Sequence, residues 1–332
     1  MNKKTKVALL VGGASLEREV SKHSSISILN AIKNLGYDYQ LIDPAYGKNQ
    51  PQREEDFFGN DIFEISAHNY LDAINSNKLS DIDVVFIGLH GTYGEDGTIQ
   101  SILELKGIPY TGSNVLSSSV SMNKNFSKIL FQHFDVCTPR WIYLEKNSLN
   151  IELLNEKIKK FFGYPCVIKP NDQGSAIGLS ICRGEVELET ALENSFKASD
   201  YLIIEEYIDG HEITVGILDN HALPVLEIKP KHSFYDYECK YTHGMSEYEV
   251  PANIPKEIAA HLQHQALLAF NSVGCKSYGR IDFRLNKNFK PYCLEVNTLP
   301  GMTSTSLLPK ASKAIGIEFD ALVDKIIQNA LK

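Results

Sequence analysis

Ser277-Tyr-Gly-Arg-Ile-Asp-Phe-Arg-Leu285, followed by Asn286-Lys-Asn and then Tyr292-Cys-Leu-Glu-Val-Asn297, decides how the C-terminal part of the chain folds. Apolar and polar residues alternate in both runs, and the turn chemistry between them predicts an antiparallel hairpin. Period two places Arg280, Asp282 and Arg284 on one face, and Glu295 and Asn297 on one face. If the loop has an even length, the two sets share a face. Two carboxylates and an amide oxygen then converge as a hard-oxygen site, suited to Mg²⁺ rather than Zn²⁺.

Upstream of this hairpin, the spacing of Ile258, Leu262, Ala266 and Phe270 predicts an amphipathic helix near Pro255–Val273. Before it come strands at Glu212–Leu218 and Ala222–Ile228, and a long loop reaching to about Glu247. That loop carries Phe234-Tyr-Asp-Tyr-Glu-Cys-Lys240-Tyr241, and a loop of this length is a candidate lid. Downstream, a helix from about Glu318 ends the chain. The middle of the chain, from about Val115, reads as two helical stretches and then strands at Pro165–Lys169, Leu179–Arg183 and Tyr201–Glu205. Lys169 ends an apolar strand and precedes Pro170-Asn-Asp-Gln-Gly-Ser-Ala, which suits a phosphate clamp. Lys124, in Ser121-Met-Asn-Lys, is a second basic candidate. Lysines beside a Mg²⁺ site point to triphosphate handling.

The first third alternates strand and helix: Val7–Val11, a helix from Glu17 to Asn34 stopped by Gly36, Tyr37–Ile42, Asp83–Leu89, and a helix from about Thr98 to Lys106. Such alternation predicts a parallel sheet with ligands at its carboxyl edge, where His90 follows a strand. Gly12-Gly13 opens the first helix and could hold an anion, but it is neither G-x-G-x-x-G nor a Walker A sequence. The change to an α+β mixture predicts a domain break near residue 115.

A length of 332 residues suits two or three domains, and 43% hydrophobic with 22% charged residues is globular usage. A net charge of −8 disfavours nucleic acid or an anionic membrane as partner. Six cysteines without C-x-x-C read as reduced thiols of a cytoplasmic protein. No apolar run approaches the ~18 residues of a membrane span.

The order of GGASLEREVS, GLHGTYGEDGTIQ, LKGIPYTGS, SMNK, VIKP, FYDYECKY, GRID and LEVNTLPGMTSTS resembles the D-alanine–D-alanine ligases of the ATP-grasp superfamily. The resemblance implies an α/β and α+β architecture of three domains: a Rossmann-like parallel N-terminal one (1–114), a central one (115–205) and a C-terminal one carrying the metal site and lid (206–332). It implies ATP-dependent joining of two D-alanines through an acyl phosphate, for peptidoglycan synthesis, by a cytoplasmic homodimer with ATP and two Mg²⁺ or Mn²⁺ ions. By motif, Lys124 and Lys169 resemble phosphate-binding lysines. Glu205, Glu206, Tyr207 and Ile208 resemble the adenine-contacting hinge, and Glu212 the ribose partner. Asp282, Glu295 and Asn297 match the metal ligands. Glu17 resembles the residue meeting the first alanine's ammonium, and His90 the one near its carboxylate. Arg280 and the Gly301 N–H resemble an oxyanion-stabilising pair. Lys240, Ser306 and Leu307 resemble groups around the second alanine's carboxylate and the transferring phosphate, with Lys240 also toward the nucleotide. Ser175 and Tyr241 would tie the lid to Glu17. Ala176 departs from the family pattern, and Gly47–Asn69 matches no motif. A D-alanine–D-lactate or other D-amino-acid ligase of the same fold is the alternative, and Tyr241 argues against the D-lactate enzymes.

Overall fold

The computed structural model describes residues 4–231, 242 and 244–332. The chain opens with β1 (Lys6–Leu10), α1 (Arg18–Asn34), β2 (Asp38–Ile42), α2 (Tyr70–Ile74), β3 (Val84–Ile87) and α3 (Thr98–Lys106). The strands form a parallel sheet in the order β2-β1-β3, as the strand–helix alternation requires. All four residues of β3 are buried, the signature of a strand covered on both faces.

The unmatched segment 47–69 folds as short 3-10 turns against α1. Its Asp61 carboxylate pairs with Arg18 at 2.8 Å and Lys22 at 3.0 Å, and its Gly59 carbonyl accepts from Lys22.

Next come α4 (Val115–Met122), α5 (Lys124–His133), β4 (Trp141–Glu145), α6 (Ile151–Phe161), β5 (Cys166–Pro170), β6 (Ser180–Cys182), α7 (Leu188–Phe196) and β7 (Tyr201–Glu206). The strands build an antiparallel sheet, β4-β7-β5-β6, whose apolar face is covered by α6 and α7. Residues 115–136, expected with this unit, contribute Phe131 and Val136 to the core of the next sheet instead.

The remainder comprises β8 (Gly210–Leu218), β9 (His221–Ala222), β10 (Leu226–Pro230), β11 (Ser246–Glu249), α8 (Lys256–Ser272), β12 (Tyr278–Asn286), β13 (Pro291–Asn297), α9 (Leu307–Lys313) and α10 (Phe319–Ala330). The sheet runs β11-β10-β8-β12-β13, with β9 paired to β8. The strand expected over Ala222–Ile228 is broken in two. Pro224 has no N–H for a ladder, so pairing with β8 stops after the Leu223 N–H, which donates to the Gly216 carbonyl, and resumes at Leu226. Ile281, Phe283 and Leu285 pack on Leu262, Ala266 and Phe270 of α8. That leaves the alternate residues of β12 facing a cleft. Leu322, Val323, Ile326 and Ile327 of α10 are buried in the core of the N-terminal sheet, so the chain's end closes its beginning.

The described cysteines, Cys137, Cys166, Cys182, Cys275 and Cys293, are free thiols, as expected. Among the described residues no helix is long and apolar enough to cross a membrane.

Candidate active site

The hairpin of β12 and β13 delivers the predicted face by an unpredicted route. Asn286 N–H donates to the Lys290 carbonyl and Phe289 N–H to the Asn286 carbonyl, so three residues form the turn. That odd loop pairs Phe283 with Cys293 and Arg284 with Tyr292. Continued unbroken, the register would put Asp282 opposite Leu294 and turn Glu295 to the other face. A bulge at Leu294 intervenes, and beyond it Asp282 lies opposite Glu295 and Arg280 opposite Asn297. On the other side of β12, Thr214 of β8 is opposite Asp282 and donates to its Oδ1 at 2.7 Å. The Arg280 guanidinium grips both oxygens of the same carboxylate, at 2.8 and 2.7 Å.

Two lysines reach this face, one from α5 and one from β5. Lys124 Nζ donates to the Gln173 carbonyl at 2.7 Å and lies 3.4 Å from Glu295 Oε2. Lys169 Nζ is 2.8 Å from Glu205 Oε2. Burial opposes the charge on Lys169, but Glu205 and Glu295 prevail and hold it above the ordinary lysine range. Glu205 also forms an ion pair with Lys128, whose Nζ is 2.7 Å from Oε1. Burial pushes the Glu205 carboxyl up, and the two ammonium groups override it and hold it below the ordinary range. Burial and the nearby Lys169 pull Lys128 down, against the attraction of Glu205. Sequence reading missed Lys128, because a lysine in an amphipathic helix gives no sign that its partner lies on a distant strand.

The N-terminal unit supplies the opposite wall. Gly12 N–H donates to Ser21 Oγ at 2.9 Å and Gly13 N–H to Asp43 Oδ1 at 3.1 Å. The chain's own side chains therefore consume the donors that an anion at this loop would need. The loop instead aims the first turn of α1, with Glu17 at its N-cap position. The Glu17 carboxylate accepts the Ser175 hydroxyl from the loop after β5. Gly91 and Gly174 lie against it: a Cβ on either would fall 2.7 or 3.1 Å from Glu17 Oε2. His90, at the end of the segment after β3, bonds Glu95 through Nδ1 and Ser24 through Nε2, both at 3.1 Å. Burial, with Glu17 nearby, raises the Glu95 carboxyl despite His90. Glu95 is a second residue that sequence reading did not single out.

These walls enclose a cavity of about 700 Å³. It brings together Glu17, His90, Lys124, Ser175, Arg280, Glu295, Asn297, Gly301, Ser306 and Leu307. A smaller cavity of about 90 Å³ continues from it past Lys124 and Glu295 to Lys169, Glu212 and Asp282. Glu205 lines neither, being 2% exposed and held by two lysines. Glu206 is taken by a bidentate Arg140, at 2.9 and 3.0 Å. Tyr207 and Ile208 also lie outside both linings, and the Ile208 carbonyl accepts from Arg284, which also bonds Glu212. Lys240 and Tyr241 lie outside the described residues.

A parallel N-terminal unit facing two antiparallel sheets, with lysines from α5 and β5 opposing carboxylates from the C-terminal sheet, defines the ATP-grasp class of ligases. Residues 6–113 match the family described as "D-ala D-ala ligase N-terminus", and 130–328 that described as "D-ala D-ala ligase C-terminus". A D-alanine–D-alanine ligase of Syntrophotalea carbinolica is 40% identical over 98% of this chain and 96% of its own. The ATP complex of the Bacillus anthracis D-alanine–D-alanine ligase superposes with a TM-score of 0.78, at 34% identity over 99% of this chain and 98% of that one. A D-Ala:D-Ser ligase of Enterococcus faecalis superposes at 0.80, at 27% identity over 99% and 100%. The chain belongs to the D-alanine–D-alanine ligase family.

Proposed function

We propose that the two cavities carry out the family's reaction, ATP-dependent formation of D-alanyl-D-alanine for peptidoglycan synthesis, with a division of labour among the residues described above. The observation that carries it is the face shared by Arg280, Asp282, Glu295 and Asn297, opposed by Lys124 and Lys169. A carboxylate oxygen is a poor leaving group, so the first D-alanine's carboxylate is phosphorylated by ATP and the acyl phosphate is then attacked by the second amine. Lys124 and Lys169 would spread charge on the phosphates, and Glu212 would meet the ribose.

The donor set of Asp282, Glu295 and Asn297 fits Mg²⁺ or Mn²⁺: two carboxylates and an amide oxygen, all hard ligands on one face. Bound there, one or two such ions would neutralise charge between the phosphates. Glu17, beside Gly174 and Ser175, suits the first substrate's ammonium, with His90 toward its carboxylate. Arg280 of β12 and Gly301 of the segment after β13 both line the larger cavity, and they would act as an oxyanion-stabilising pair. Ser306 and Leu307 line the same cavity and would meet the second substrate. Free thiols favour the cytoplasm, and the family resemblance favours a homodimer.

The test is incubation with ATP, Mg²⁺ and D-alanine, following phosphate release and product mass together. D-alanyl-D-alanine in step with phosphate is the expected result. Mixed tubes with D-serine or D-lactate test the second subsite; preferential D-alanyl-D-serine or depsipeptide would move the assignment to those ligases. No product with any acceptor would overturn the reading.

A further inference from the structure

We propose that Lys128 is a positioning residue for nucleotide binding: it compensates the buried Glu205 from behind, so that the charge of Lys169 stays available to an anion in the smaller cavity. This rests on the reading of Lys169 as a phosphate ligand. Lys128 projects from α5 and is fully buried. Its Nζ lies 2.7 Å from Glu205 Oε1 and 2.6 Å from Thr138 Oγ1, above the Trp141 ring. Lys169 holds the other Glu205 oxygen at 2.8 Å. Val167 is opposite Glu205 in the β5–β7 ladder, so Lys169, two residues on, projects from the same face as Glu205. Of the three residues only Lys169 lines either of the two cavities described above.

The charges decide the consequence. Lys169 with Glu205 alone is a neutral pair, and an anion beyond it would meet only a dipole. With Lys128 the triad carries one net positive charge. In a buried setting that charge acts across a few ångströms with little screening. Lys128 touches no substrate, and its effect passes entirely through Glu205 and Lys169.

The experiment measures the Kd of ATP and the KM of D-alanine for Lys128→Met, alone and in a Glu205→Gln background, beside Lys169→Met. With Glu205 present, Lys128→Met should weaken ATP by about tenfold to a hundredfold, as for a buried carboxylate left half-compensated. The D-alanine KM should move by less than about twofold, because the larger cavity keeps its charges. In the Glu205→Gln background the same change should weaken ATP by less than about threefold, since no carboxylate remains to compensate. Equal losses in both backgrounds overturn the proposal, as does an unchanged ATP Kd in the single variant. If the single variant does not fold, the Glu205→Gln background decides: a loss above about threefold overturns the proposal and a smaller one sustains it. If neither Lys128→Met protein folds, Lys128 is a structural lysine and the proposal fails. An unchanged ATP Kd in Lys169→Met overturns the underlying reading of Lys169, which the two-background comparison does not.

Discussion

The Ser175 hydroxyl donates to the Glu17 carboxylate across 158 residues of sequence, joining the loop after β5 to the first turn of α1. Glu17 is 6% exposed, and glycines at 91 and 174 leave the space in which that carboxylate and hydroxyl meet. A bond between two units at the rim of a shared cavity fixes the distance between the walls as well as the orientation of Glu17. Such a bond to a charged group contributes about 1.5–3 kcal/mol.

Ser175→Ala should therefore raise the KM of the first D-alanine by about tenfold to a hundredfold while the protein still unfolds cooperatively. Steady-state kinetics at saturating ATP measure it. An unchanged KM would show that the contact does not orient Glu17.

Arg280→Ala should lower kcat by about 10²–10³, the usual cost of losing one oxyanion donor. Asp282 keeps its bond from Thr214, so the hairpin should fold. Arg280→Lys keeps the charge but not the bidentate fork and should recover only part of the rate. Full turnover in Arg280→Ala would remove this residue from the chemistry.

Glu295→Ala takes one of the two carboxylates off the cleft face of the hairpin. Mg²⁺-dependent turnover should fall by at least about a thousandfold, because one of the carboxylates that would hold the metal ion is lost. In the parent, chelation of divalent ions should abolish turnover and Mg²⁺ or Mn²⁺ restore it. Turnover that survives either treatment would dismiss the cross-strand carboxylates as metal ligands.

Gly12→Ala should destabilise the fold by about 3 kcal/mol or more, measured by denaturant unfolding. A Cβ at this left-handed position, φ +77°, would fall 2.3 Å from Asp43 Oδ2 and 2.5 Å from Arg18 Nη1. Arg18 and Asp43 form a buried pair at 2.7 Å, and neither can retreat without leaving the other uncompensated.

Glu205 gives a pH signature. Its carboxyl is held below the ordinary value of 4.5: burial opposes this, and Lys128 and Lys169 prevail. The folded state therefore binds this proton less readily than the unfolded chain. The stability Glu205 contributes is present above pH 4.5 and is lost as the pH falls through the folded value. The difference in unfolding free energy between parent and Glu205→Gln should be flat above about pH 5 and shrink on further acidification. A difference that widens at low pH would contradict the buried triad.

What the sequence determined by itself is the part of the structure carried by period and by local chemistry. Alternation placed Arg280 and Asp282 on one face of a strand, and 3.6-residue spacing put α1 at Arg18–Asn34 and α8 at Lys256–Ser272, within a residue of expectation at each end. The order of short motifs carried the family. Pro224 was also visible, and its missing N–H should have divided the strand expected across it. Tertiary structure alone decided how distant elements meet. Whether Glu295 faces Asp282 depends on a three-residue turn and a compensating bulge at Leu294, and neither leaves a periodic trace. Lys128 carries no sequence signal of its partner: its side chain meets Glu205 of β7 only once α5 has packed against the C-terminal sheet. Gly12-Gly13 reads as an anion site until Ser21 and Asp43 occupy its donors. Local sequence sets which way a side chain can point, but charge and hydrogen-bond partners are assigned only when separate elements pack, because those interactions act over a few ångströms in space and are indifferent to separation along the chain.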